Sequence, residues 1–235
     1  MSSSHVPIRD SLVVLLTITT GAVDAASFLA LGHAFGSVIT GNMVLLGVAA
    51  GAAQPALAVH SGVALAGYVA GVAIGAPLAV HRHESGETWP PSVTITLAAE
   101  LAVLAGFSVA WELAGAAPRG GVQLALVAVL AAAMGLQAAG VRRLGQMSST
   151  YLTSTLTGLV AGLMTGSKPD GMKRSLGVLA AIVAGAVVAS VIVKTVPAWL
   201  PAIVLVPLGL VIVWSVAGFE WVRDHLIPGR RPAGR

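Results

Sequence analysis

Two carboxylates interrupt otherwise apolar runs. Asp24 follows Gly21-Ala22-Val23, about 13 residues into the first run, and Glu100 lies about nine residues into the fourth among Leu97, Ala98, Leu101 and Val103. Holding a carboxylate in hydrocarbon costs at least a few kcal/mol unless it is paired, protonated or wet. Each residue therefore suits proton or cation exchange, and both are coupling candidates. The competing structural uses are a cap on a nearby helix start for Asp24 and a hydrogen bond to a neighbouring helix for Glu100. Glu112, next to Trp111 near a helix end, suits the membrane interface.

A second group of residues has the chemistry of helix starts. Thr40-Gly41-Asn42 and Thr153-Ser154-Thr155 each follow a β-branched polar stretch, Ser37-Val38-Ile39 and Ser149-Thr150-Tyr151-Leu152. Asn42 in the first and Ser154 or Thr155 in the second suit an N-cap, where a side-chain oxygen accepts from free backbone N–H groups. Helix starts near the membrane centre attract anions and polar groups. The predicted binding site for a small polar or anionic solute is thus Asp24, Thr40, Gly41, Asn42, Gln137, Thr153, Ser154 and Thr155. Local capping with no ligand is the alternative. No histidine and carboxylate cluster has metal-ligand spacing, and neither a phosphate-binding loop nor a serine-nucleophile elbow occurs. The sequence points to no metal, no cofactor and no enzyme activity.

The elements that must position these groups are membrane helices. Of 235 residues, 56% are apolar and only 9% charged, with 28 glycines, no cysteine and a mean hydropathy of +0.90. A soluble domain carries about a quarter charged residues. The lack of cysteine excludes disulfides and thiolate sites. The net charge of +4 describes loops meeting anionic lipid, not nucleic acid. Apolar segments run over 11–31, 34–53, 56–80, 92–114, 121–141, 148–166, 172–194 and 198–219, and several reach the roughly 20 residues that cross a bilayer. The first carries no small-residue cleavage site and is expected to stay in the protein. A polar tail, 1–10, precedes a first membrane repeat over 11–115; a second repeat covers 121–220, and a basic tail, 223–235, follows.

The repeats emerge when the sequence is slid by 113 residues, which puts Asp24 on Gln137, Leu31 on Leu144, Gly32 on Gly145 and Thr40 on Thr153. Gly67, Gly71 and Gly75 stand four apart, as do Gly177, Ala181, Gly185 and Ala189. Such stripes let helices approach closely in lipid, within the chain or between copies of a homo-oligomer. Counted from their caps, Asn42–Ala53 and Thr155–Gly166 give ~18 Å of helix, about half a bilayer. Basic residues weigh the topology, because they favour the cytoplasm. Eight crossings sort them nine against four, whereas six crossings with two re-entrant half-helices sort them eleven against two, with both termini cytoplasmic. The predicted fold is an all-α polytopic protein of the inner (plasma) membrane, about six transmembrane helices plus two half-helices in two inverted repeats.

Gly21-Ala22-Val23-Asp24-Ala25-Ala26-Ser27-Phe28-Leu29 with Thr40-Gly41-Asn42, echoed by Met134-Gly135-Leu136-Gln137-Ala138-Ala139, Arg142-Arg143 and Thr153-Ser154-Thr155, resembles the YoaK family of bacterial membrane proteins. The likeness covers about residues 10 to 220. That family often carries glycine where Ser154 stands and asparagine where Ala138 stands. It is a family of unknown function, so the resemblance implies a fold and no chemistry. From the residues, the leading expectation is a small secondary transporter with Asp24 as coupling group. A channel-like pore and a non-transporting membrane scaffold or sensor are the alternatives.

Overall fold

The computed structural model describes residues 5–80, 89–144, 151–166 and 171–226. Regular structure among them is helical: α1 (His5–Ala30), α2 (Ile39–Gly51), α3 (Pro55–Ala79), α4 (Pro91–Leu113), α5 (Gly120–Val141), α6 (Tyr151–Met164), α7 (Met172–Thr195) and α8 (Leu200–Leu226). Single 3-10 turns follow α5 and precede α8. Six helices are long and apolar enough to span a membrane. The exceptions are α2 and α6, with 13 and 14 residues, ~20 Å each at 1.5 Å per residue. Arg82 and Ser85 in the longest separator, Gly145, Ser149, Thr150, Lys168, and Arg230, Arg231 and Arg235 lie outside the described residues.

Local chemistry accounts for the boundaries. Pro55 and Pro91 open α3 and α4, where the missing N–H is no loss and the fixed φ is already helical. Leaving α1, the chain turns at Gly32, whose φ is +91°. Glycine is required there twice, since a side chain at Gly32 would also run into the ring of His60 on α3. The predicted second run, 34–53, becomes helical only at Ile39; residues 31–38 form a loop that bends back along α1.

The bundle is held by two close crossings, α3 on α5 and α1 on α7, with α4 against α5 and α8, and α8 against α1. Each crossing depends on absent side chains. A Cβ at Gly71 would strike the Ala132 carbonyl, and one at Gly135 the Tyr68 carbonyl; a Cβ at Gly185 would strike the Ile18 carbonyl, and one at Gly21 the Ile182 carbonyl. Gly71 and Gly185, Ala132 and Ile18, Gly135 and Gly21, and Tyr68 and Ile182 are all separated by 114 residues. The packing register is one residue longer than the shift of 113 that pairs Asp24 with Gln137. The stripe of Gly67, Gly71 and Gly75, which the sequence offers to a second copy, is filled by α5 of the same chain. Backbone contact at this distance exchanges side-chain entropy for dispersion, the chief attraction left between helices in lipid.

Several contacts record which helix ends meet. Gln123 at the start of α5 donates from Nε2 to the Ala30 carbonyl that ends α1 (2.9 Å), and the His60 ring near the start of α3 lies against Gly32. Trp111, near the end of α4, donates from Nε1 to the Pro197 carbonyl between α7 and α8 (3.0 Å). Elsewhere, Asp10 near the start of α1 pairs with Arg174 near the start of α7 at 3.4 Å. Trp89 donates to Thr94 Oγ1 at the start of α4 (2.9 Å), which sits 3.1 Å from Ser215 Oγ late in α8.

Candidate functional site

Asp24 and Asn42 act on the same loop. The Ser37 backbone N–H donates to Asp24 Oδ1 at 2.7 Å, and the Ser37 hydroxyl donates to Oδ2 at 2.6 Å. Seven residues before Asn42, Phe35 is held at both backbone groups: its N–H donates to Asn42 Oδ1 (2.8 Å) and its carbonyl accepts from Nδ2 (2.7 Å). The Phe35 ring stacks on Phe28 of α1, with centroids 5.1 Å apart. Asn42 is only 1% exposed, and Phe35 and Ser37 find these partners inside the protein, as polar groups in hydrocarbon must.

This geometry corrects the expected caps. Asn42 lies one turn inside α2, whose N-cap position is Val38 and carries no side-chain cap. The amide reaches back to Phe35 because the loop folds under the helix. The Ser37 N–H ahead of α2 is already occupied by Asp24, so it is not open to an anion. In α6, Thr153, Ser154 and Thr155 are helical and therefore not caps; Thr153 and Ser154 are exposed and Thr155 is half-buried. Thr157 donates back to the Thr153 carbonyl at 2.9 Å, the usual outlet for a hydroxyl inside a helix. Thr40 is exposed, and Gly41 lies against Phe35 and Val38. Because α2 packs on α3 and α6 on α7, the two predicted half-sites are not brought together as a packed pair.

The residues that do meet across the bundle are Thr20, Gln137 and Glu100. The Thr20 hydroxyl on α1 is 2.9 Å from Gln137 Oε1 on α5, and Gln137 Nε2 donates to Glu100 Oε1 on α4 at 3.0 Å. Thr20 Oγ1 has a second acceptor, the Leu16 carbonyl at 3.2 Å, and its single proton serves one at a time. Glu100 is completely buried, and its Oε2 has no hydrogen-bond partner among the described residues. Asp24 lies one turn beyond Thr20 on α1, and residues four apart share a helical face. That spacing marked Thr20 in the sequence, where it passed as one more polar residue of a Thr-rich helix. Ser37 and Phe35 carried no comparable signal, since their roles depend on the loop's path. Among the described residues no group of three or more metal-ligating side chains assembles.

Comparison with known proteins gives the chain relatives but no chemistry. Residues 12–214 match the family described as "Protein of unknown function (DUF1275)". The chain is 38% identical over 154 residues to "UPF0700 transmembrane protein YoaK" of Bacillus subtilis (strain 168), an alignment covering 65% of this chain and 66% of that protein. No solved structure matches. The family match spans all the residues that build the Asp24 loop and the Thr20–Gln137–Glu100 chain, and the chain belongs to the YoaK/DUF1275 family of membrane proteins.

Proposed function

We propose that the protein is a small proton-coupled secondary transporter, with Glu100 rather than Asp24 as the coupling group. The observation that carries this reading is the buried line from Thr20 through Gln137 to Glu100, which joins three helices from both halves and ends in a carboxylate oxygen lacking a partner among the described residues. A carboxyl inside a membrane helix is costly, and proton exchange is the function that most directly uses one. Asp24 has donors on both oxygens and fits a positioning role instead. With the Ser37 N–H taken and two carboxyls near the bundle centre, the site suits a neutral polar or cationic solute better than an anionic one.

The architecture behind this reading is six crossings with α2 and α6 re-entrant. Support comes from the helix ends: α1 ends where α3 and α5 begin, at Gly32, His60 and Gln123. Eight crossings would separate the end of α1 from the start of α3 by a bilayer of ~30 Å. Ser37, level with Asp24, lies about one and a half turns back from the end of α1, and from there α2 is long enough to return to the face it left. The shift of 114 between crossings supports a duplicated half, and three crossings per half invert one copy relative to the other. Basic residues agree: Arg9, Arg142, Arg143, Lys173 and Arg174 gather at one set of ends, Arg119 and Lys194 at the other. The first set marks the cytoplasm of a plasma membrane, where both termini lie.

The test is flux in proteoliposomes holding a trapped pH dye, challenged with small amino acids, polyols and amines under an imposed pH gradient. Wild-type protein should carry protons inward only with a transported solute, and Glu100→Gln should abolish that movement while melting near the wild-type temperature. Solute flux indifferent to the gradient, or gradient-driven flux retained by Glu100→Gln, overturns the assignment. The absence of any solute or proton flux favours the scaffold.

A further inference from the structure

We propose that the Gln137 side-chain amide turns over when Glu100 takes up a proton, passing the protonation state of α4 to α1 through Thr20. The inference rests on the reading of Glu100 as the coupling group and adds the device by which the rest of the bundle senses it.

Gln137 is 8% exposed, and its amide is bracketed by the Thr20 hydroxyl at 2.9 Å and the Glu100 carboxylate at 3.0 Å. An amide presents one acceptor and one donor group at opposite ends, so its orientation must match its neighbours. With Glu100 as carboxylate, Nε2 donates to Glu100 Oε1 and the Thr20 hydroxyl donates to Gln137 Oε1, the arrangement found. A proton from water on Glu100 Oε2 keeps the Nε2 bond but gives the new O–H no acceptor within the Thr20–Gln137–Glu100 chain, whereas an O–H on the oxygen that faces Gln137 meets the Nε2 donor. A half-turn of the amide about Cγ–Cδ removes the conflict. Glu100 then donates to Gln137 Oε1, and Nε2 donates to Thr20 Oγ1. The Thr20 proton swings to the Leu16 carbonyl, already 3.2 Å away. In each state the three side chains are bonded in one line, with the second Glu100 oxygen outside it, and one proton on Glu100 distinguishes them. The flip reverses the Thr20–Gln137 bond: the Thr20 proton turns to the Leu16 carbonyl of its own helix while the Thr20 oxygen accepts from α5, which changes the link between the α1–α7 and α3–α5 pairs.

The surroundings leave Glu100 as the titrating partner. No ionisable residue occurs in α5 or in Leu200–Ala217 of α8, and α3 brings only His60 and Tyr68. His60, near the helix start, has Nδ1 2.7 Å from the Ala56 carbonyl. On α4 itself Glu112 is three turns away and exposed. Asp24 on α1 is engaged by Ser37. Among the described residues no charged group lies within hydrogen-bond distance of Glu100.

The experiment is pH-step infrared difference spectroscopy of the full chain in lipid, with glutamine labelled by 13C at its side-chain carbonyl. A carboxylic C=O band should appear on acidification, and the labelled glutamine band should shift at the same midpoint. Both signals should vanish in Glu100→Gln; the glutamine signal alone should vanish in Gln137→Leu, change in Thr20→Val and return in Thr20→Ser. Because the coincidence of midpoints is read in the unsubstituted protein, a variant that fails to fold leaves the test intact. A titrating Glu100 band beside a stationary glutamine band overturns the flip and spares the coupling reading. No Glu100 band between acid and alkaline pH overturns both.

Discussion

The loop between α1 and α2 and the C-terminal half of α5 put their polar side chains to different uses. In the first half, Asp24 and Asn42 hold Ser37 and Phe35 through four hydrogen bonds of 2.6–2.8 Å. In the second half, the structural counterpart of Asp24 at the shift of 114 is Ala138, which can hold nothing, while Gln137 beside it turns to Thr20 and Glu100. Within a shared plan of glycine crossings, polar groups have been divided between tasks: one half spends them on its own loop, the other on contact with its partner half. A buried carboxylate is therefore ambiguous by itself, and the saturation of its oxygens separates a fastener from a group free to react.

The comparison breaks most severely where the halves are alike. Gly71→Leu and Gly185→Leu each force a side chain into a backbone carbonyl across a crossing. Each should cost about 3 kcal/mol or more, the upper range of overpacking, seen as lost monodispersity and a large fall in melting temperature in detergent. Should one variant melt like wild type while the other collapses, the two crossings are not equivalent.

Asp24→Ala sharpens the contrast between fastener and reacting group. It strands the Ser37 N–H and hydroxyl, and should cost about 3 kcal/mol from two lost hydrogen bonds to a charged or polar acceptor. Asp24→Asn keeps one acceptor and should cost about 1 kcal/mol while retaining gradient-driven flux. Gradient-driven flux lost in Asp24→Asn at an unchanged melting temperature would return the coupling role to Asp24.

The smallest effects separate α2 from α6. Asn42→Ala removes both bonds to Phe35 and should destabilise by about 2 kcal/mol, whereas Thr153→Ala and Ser154→Ala, exposed on α6, should stay within about 0.5 kcal/mol. Thermal unfolding of all three in one detergent checks the ranking, and equal losses would mean that α6 is fastened as firmly as α2.

Properties fixed by composition and length were legible in the sequence. Eight apolar segments correspond to eight helices, the two short ones are the two singled out by their polar starts, and the cost of a carboxylate in hydrocarbon pointed to Asp24 and Glu100. Properties that depend on where the chain folds back were not. Asn42 resembles an N-cap because Asn before an apolar run usually is one; its actual partner, Phe35, is reached only because residues 31–38 bend beneath α2. The sequence pairs residues at a shift of 113, whereas the glycine contacts at the two crossings are related by 114, because a glycine facing a carbonyl tolerates no slip. Gln137 stands in the sequence as the mate of Asp24 at a shift of 113, but its partners come from α1 and α4, 117 and 37 residues away.

The exchange of partners at the crossings sets an order of events during synthesis. Neither strong crossing lies within a half: α3 packs on α5, and α1 packs on α7. On a chain threaded into the membrane from its N-terminus, α1 waits for some 140 further residues before α7 can seat on it, at about 5–20 residues per second. Asp24 would spend that interval as a bare carboxylate in lipid were its partner equally distant. Ser37 emerges 13 residues later, so the loop covers the most costly group in α1 almost at once. Glu100 has a longer delay, 37 residues, before Gln137 arrives, and it passes that time with neither oxygen bonded by its eventual amide partner. The nascent chain thus meets the membrane with the Asp24 fastener closed first and Glu100 paired later.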